Sequence, residues 1–173
     1  MLTSSVLSPG DCTPQQLADF EKLVIEAGTV DPQGLTQRIR AASRLLFLTR
    51  SNGQLIGVGA LKQPLLSYRT RIFAKARATV PADQYPIELG WVAVAKSHQR
   101  RGLWRSIIGQ LISLAENENV FATTRADARA IRVAADYGFK PAGKPYSGNR
   151  GYDLVLLLRN VQGKDPQGHK MTP

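Results

Sequence analysis

The chain has 173 residues, 43% of them apolar, and a formal charge of +10. That is enough apolar material for one domain with its own core, and it excludes an intrinsically disordered chain. No apolar run approaches the ~18 residues a membrane helix needs. The opening residues lack the basic-then-apolar pattern of a secretion leader, and the lone Cys12 excludes an internal disulfide and fits a reducing cytoplasm.

The segment "LTSSVL" reads as a short first strand. Thr13 and Pro14 form an N-cap and first helical residue, Leu17, Phe20, Val24 and Ala27 recur at helical spacing, and Gly28 stops the helix. Asp31 and Pro32 repeat the start signal, and Leu35, Ile39, Ala42 and Leu46 give a second amphipathic stripe. "LLFLT" and "LIGVGAL" flank Asn52-Gly53, a pair that tolerates positive φ, so this stretch predicts a β-hairpin. Residues 63–85 are a basic, partly helical insertion. "IELGWVAVA" is the next strand, Leu103, Ile107, Ile108, Leu111 and Ala115 mark a helix, and "VFATT" is a strand. Residues 127–137 are helical up to Gly138, and "FKPAGK" and "YDLVLLL" complete the sheet. The expected architecture is a single α/β domain over residues 1–160, with a mixed, mostly antiparallel central sheet flanked by helices. A polar tail occupies 161–173.

Charge is distributed unevenly. Residues 1–60 carry five basic and five acidic side chains, so the whole excess of +10 lies beyond them. Such a balance favours an anionic partner, whether nucleic acid, acidic protein, anionic lipid or phosphorylated cofactor, and equally describes a solvated basic surface. Two histidines and one cysteine far apart offer no metal-site spacing.

The densest chemical signal is "HQRRGLW", residues 98–104, between an apolar strand and a helix. Amides at a helix start lack intrahelical partners and sit at the positive end of the helix dipole, and a glycine there lets a phosphate approach the backbone. The segment lacks the Gly-Lys-Ser/Thr of a Walker loop and the further glycines of a dinucleotide fingerprint. The run Gln99-Arg100-Arg101-Gly102-Leu103-Trp104, together with "DARAIRVAADYGF" at 127–139, resembles the GCN5-related N-acetyltransferase (GNAT) superfamily.

The resemblance implies a GNAT-like acyl-CoA N-acyltransferase fold and an acetyl-CoA-dependent N-acetyltransferase. In it an amine acceptor attacks the thioester directly in a ternary complex. The backbone of Val92, Ala93 and Val94 would bind the pantetheine arm, and the amides from Gln99 to Trp104 the pyrophosphate. Asp127 stands where the family usually has Asn, and Glu88 where histone-modifying members keep a catalytic carboxylate. Two departures bear on the chemistry. Trp104 replaces a small residue and is expected to turn into the core. Ala134 replaces the tyrosine that protonates the leaving thiolate, which leaves Tyr137 and Tyr146 as candidate substitutes. The insertion, with Tyr68, Arg69 and Arg71, is the expected acceptor cleft, suited to an anionic small-molecule or protein amine. A homodimer is compatible with this reading. Two alternatives stay open: a non-catalytic acyl-CoA-binding module, and a basic nucleic-acid-binding protein.

Overall fold

The computed structural model describes residues 1–28 and 30–161. Its elements are β1 (Leu2–Leu7), α1 (Pro14–Glu26), α2 (Leu35–Arg40), β2 (Arg44–Arg50), β3 (Leu55–Lys62), α3 (Leu66–Lys75), β4 (Ile87–Val94), α4 (Leu103–Leu114), β5 (Val120–Arg125), α5 (Ala128–Ala135), β6 (Lys140–Ser147) and β7 (Asp153–Arg159). The expected tail at 161–173 lies, beyond Val161, outside the described residues.

The local signals act as expected at α1. The Thr13 side chain accepts from the Gln16 amide while the Gln16 side chain accepts from the Thr13 amide, a reciprocal capping box behind Pro14. The second stripe is corrected. The Asp31 carboxylate accepts from the Gln33 amide, which makes a turn, and α2 begins only after Gly34. It ends at Arg40, and Leu46 belongs to β2. Six helical residues suffice because Leu35 and Ile39 are fully buried against the sheet.

The seven strands run in the order β1-β2-β3-β4-β5-β7-β6, and all neighbouring pairs are antiparallel except β4 and β5. One face packs under α1 and α2 through Phe20, Leu45, Phe47 and Val58. Leu46, Ile56, Ile107 and Leu111 fill the other face beneath α4. Gly57 and Gly59 of β3 set the height of that helix. A Cβ on Gly59 would stand 2.7 Å from Ile107 Cγ2 and 2.8 Å from Leu111 Cδ1. Two bare positions on one face of β3 therefore let α4 lie close on the sheet, which fixes where its N-terminus ends up.

Two irregularities in β4 shape the centre. Val58 pairs with Ala93 and Ala60 with Gly90, so Trp91 and Val92 together oppose Gly59. This is a β-bulge, and Trp91 sits in it at φ +51°. On the other side, the parallel pairing with β5 covers only Ile87↔Val120 and Glu88↔Phe121. Beyond Glu88 the two strands part.

Candidate active site

The parting of β4 and β5 opens a groove of about 960 Å³. It runs from the start of α4 past the bulge to the α1–α2 loop, and Glu88 lies within it.

The α4 end is built largely from backbone. The Ala95 amide donates to Ile56 on β3. Strand alternation then turns the polar groups of Val94 and Val92 to the opposite, open edge. There Gln99 Nε2 donates to the Val94 carbonyl at 3.1 Å and Trp104 Nε1 to the Val92 carbonyl at 3.2 Å. Trp104 is half-buried on the α4 core and also lines the groove, so the expected core position and a groove contact are combined in one side chain.

Gly102 caps α4 in the left-handed region at φ +74°, with open space where a Cβ would be. Its requirement is conformational rather than steric. No side chain caps this end of the helix, so the first amides of α4 face outward with the positive end of the helix dipole. Arg100 (φ +64°) and Gly102 bend the preceding turn, and Arg100, Arg105, Arg129 and Arg132 line an adjoining pocket between α4 and α5. Asp127 also borders the groove, but its carboxylate accepts from the Arg129 and Ala130 amides and so caps α5.

The other end is built from side chains. Glu88 is only 4% exposed, and its Oε1 lies 2.9 Å from Lys62 Nζ. Sequence reasoning did not select Lys62. Tyr146 on β6 and Tyr68 on α3 converge beside Glu88 and line the same groove. The Tyr146 hydroxyl is buried without a hydrogen-bond partner. Burial first, and then the Glu88 charge, push its pKa up to about 12. The same two causes, in the same order, raise that of Tyr68. Ala134 faces the groove with its methyl group where a hydroxyl is common in the family resemblance. Arg71 stands over the Tyr68 ring at 5.6 Å and, with Lys75, Arg38 and Arg150, makes this mouth basic. Arg150 also donates across the mouth to the Val30 carbonyl at 2.9 Å.

Two expected site residues lie elsewhere. The Tyr137 hydroxyl donates to the Arg105 carbonyl at 2.6 Å and its ring packs on Gly109, outside the groove lining. Arg69 donates to the carbonyls of Pro64, Ala82 and Tyr85, and so ties the insertion together rather than facing the groove. Lys62 and Arg150 were hidden for a simple reason. Lys62 meets Glu88 only through the β3–β4 register, across the whole insertion, and Arg150 reaches Val30 through tertiary folding alone.

Among solved structures, an acyl-CoA N-acyltransferase from Pseudomonas aeruginosa superposes with a TM-score of 0.70 at 16% identity, covering 92% of this chain and 100% of its own. The ribosomal-protein-S18-alanine N-acetyltransferase of Escherichia coli gives 0.66 at 18% identity, covering 95% and 97%. NAA60 of Arabidopsis thaliana, solved with a bisubstrate analogue, gives 0.65 at 15%, covering 94% and 100%. These likenesses concern the fold. No curated protein sequence matches the chain. The sequence model of the Acetyltransferase (GNAT) family matches residues 16–139, which include most of α1, the bulged β4, the Gly102 turn and α5, and the chain therefore belongs to that family.

Proposed function

We propose that the chain transfers an acetyl group from acetyl-CoA to an amine by direct attack within a ternary complex. The carrying observation is the open edge of β4 beyond Glu88, with a left-handed glycine and an uncapped helix start at one end and a buried carboxylate at the other. An amide-bearing pantetheine arm can lie along such an edge as an added strand, and a pyrophosphate suits the first amides of α4. A carbonyl oxygen accepts two hydrogen bonds, so the Gln99 and Trp104 donors leave capacity at Val94 and Val92.

An alkylammonium of pKa about 10.4 must lose a proton before it attacks. Glu88, directly or through a water, is the group assigned that role. An amide in the Val92–Val94 stretch polarises the thioester carbonyl, a contribution of roughly 3 kcal/mol for a well-aimed donor. Tyr146 keeps its proton through the neutral range and is assigned to the leaving thiolate, in place of the hydroxyl absent at Ala134. The basic mouth around Arg71 and Lys75 suits an acceptor that carries negative charge near its amine. With a lone cysteine and no membrane-length apolar helix among the described residues, a cytoplasmic site of action is part of this reading.

The test is calorimetry with acetyl-CoA followed by thiol release over a panel of neutral and acidic amines. Binding with amine-dependent release is expected. Binding without release on any amine would make the chain an acyl-CoA-binding module. Retention on nucleic acid without acetyl-CoA binding would point instead to the basic-protein reading.

A further inference from the structure

We infer that Lys62 is itself an acetyl acceptor, modified within its own chain; the inference rests on the acetyltransferase reading above. Lys62 ends β3 and stands opposite Glu88 in register. Its side chain does not extend into solvent but lies along β4, and side-chain exposure is 17% for Lys62 and 5% for Glu88. The space it fills is the missing side chain of Gly90, where a Cβ would come within 2.8 Å of Lys62 Cε and 2.9 Å of Nζ. The ammonium thus rests between a carboxylate oxygen at 2.9 Å and the Trp91 ring, 4.6 Å from its centroid. A carboxylate and an aromatic face are the two partners that hold an alkylammonium best.

Lys62, Glu88, Gly90 and Trp91 all line the groove, and Trp91 is part of the bulge beside which the thioester would lie. An incoming acceptor must bring its own ammonium to Glu88, which is the place Lys62 already holds. Among the described residues the only other ion pair is Arg105–Asp136, which involves no lysine, so no other lysine is presented to a carboxylate in this way.

The chemistry balances without any further reactant. Glu88 takes one proton from the Lys62 ammonium. The free Nζ electron pair attacks the thioester carbonyl carbon, the C–N bond forms, and the C–S bond breaks. The second nitrogen proton leaves as the amide forms, the CoA thiolate departs as thiol, and Glu88 returns its proton to solvent. The product is a neutral amide at Lys62, and Glu88 is released from its ion pair.

The experiment incubates the full chain with acetyl-CoA at several chain concentrations. Intact mass, peptide mapping and, in parallel, calorimetry of acetyl-CoA binding are the readouts. One acetyl group per chain, at Lys62, with a first-order rate constant independent of chain concentration, is expected, and Lys62→Arg abolishes that species. An unmodified Lys62 in a chain that binds acetyl-CoA overturns the inference and leaves the acetyltransferase reading standing. So does modification spread equally over the exposed Lys140 and Lys144, equal modification of Lys62 in the unfolded chain, or a rate that rises with chain concentration. A chain that binds no acetyl-CoA overturns both.

Discussion

The two ends of the groove are made of different material. At the α4 end the groove is built largely from backbone, the edge of β4, the first amides of α4 and the Arg100–Gly102 turn, with the Gln99, Trp104 and Arg105 side chains beside them. At the other end it is built from the side chains of Lys62, Glu88, Tyr68, Arg71 and Tyr146, drawn from β3, β4, α3 and β6. Backbone groups recur in every chain that folds this way, so the first end suits a ligand common to the whole family. Side chains change independently of one another, so under the proposed function the second end is where acceptor choice would be set.

The largest expected effect breaks the side-chain end alone. Glu88→Gln keeps size but removes the proton acceptor. General-base assistance is typically worth about 10²- to 10⁴-fold, so kcat should fall by at least ~100-fold with the acetyl-CoA Kd nearly fixed. Raising the pH should restore part of the rate, because more acceptor amine is then already neutral. Steady-state kinetics at several pH values would show it, and a near-normal kcat with the same profile would make Glu88 a structural partner of Lys62.

The next effect breaks the backbone end alone. Gly102→Glu forces a side chain into φ +74° and adds a negative charge at the helix start. The strained left-handed residue costs about 1–3 kcal/mol of stability in the free and the bound chain alike, so it leaves affinity untouched. The added carboxylate competes with a pyrophosphate for the positive helix end, worth up to ~2 kcal/mol, and acetyl-CoA affinity measured by calorimetry should drop by roughly tenfold on that scale. An unchanged Kd in a folded variant would move the pyrophosphate elsewhere.

Tyr146→Phe sharpens the comparison, because rate and stability should move in opposite directions. Loss of the hydroxyl should lower kcat by about tenfold, less than a full general-acid contribution because a thiolate leaves readily. The same change removes a buried, partnerless hydroxyl and should raise stability by about 1 kcal/mol. Its pH signature follows from the raised pKa. The unfolded chain ionises this tyrosine near 10 while the folded chain holds the proton to about 12, so the unfolded state carries fewer protons in between. Stability therefore falls from pH 10 to about 12, and the variant should lose this part of the slope in denaturant titrations.

The smallest effect separates two neighbours in the insertion. Arg69→Ala removes three donations to carbonyls and should cost about 1–3 kcal/mol of stability, without changing acetyl-CoA binding. Arg71→Ala should leave stability within about 0.5 kcal/mol, as for most surface changes, and raise KM for acidic acceptors alone. Equal effects of the two on KM would return Arg69 to the acceptor cleft.

Much of this molecule is decided by local sequence. The capping box at Thr13, the Asn52-Gly53 hairpin and the strand–Gly102–helix passage are each set within a few residues, because caps, turns and helix starts are short-range hydrogen-bonding problems. Glu88 was legible as a lone carboxylate opening an apolar strand, and Tyr146 as a candidate only through the resemblance and the loss at Ala134. Tertiary structure alone decided the rest. The α2 stripe stopped at Arg40 because Leu46 is worth more in the sheet, where it is fully buried, than on a longer helix. Lys62 reached Glu88 because two strands separated by an insertion align in one register, and Gly90 leaves room for the side chain to lie flat. Arg69 and Arg71, two residues apart in one helix, were sent to different tasks, one to the carbonyls of its own insertion and one to the groove. Residue type and spacing state what a side chain can do, whereas the direction it faces depends on packing against segments far away in the chain.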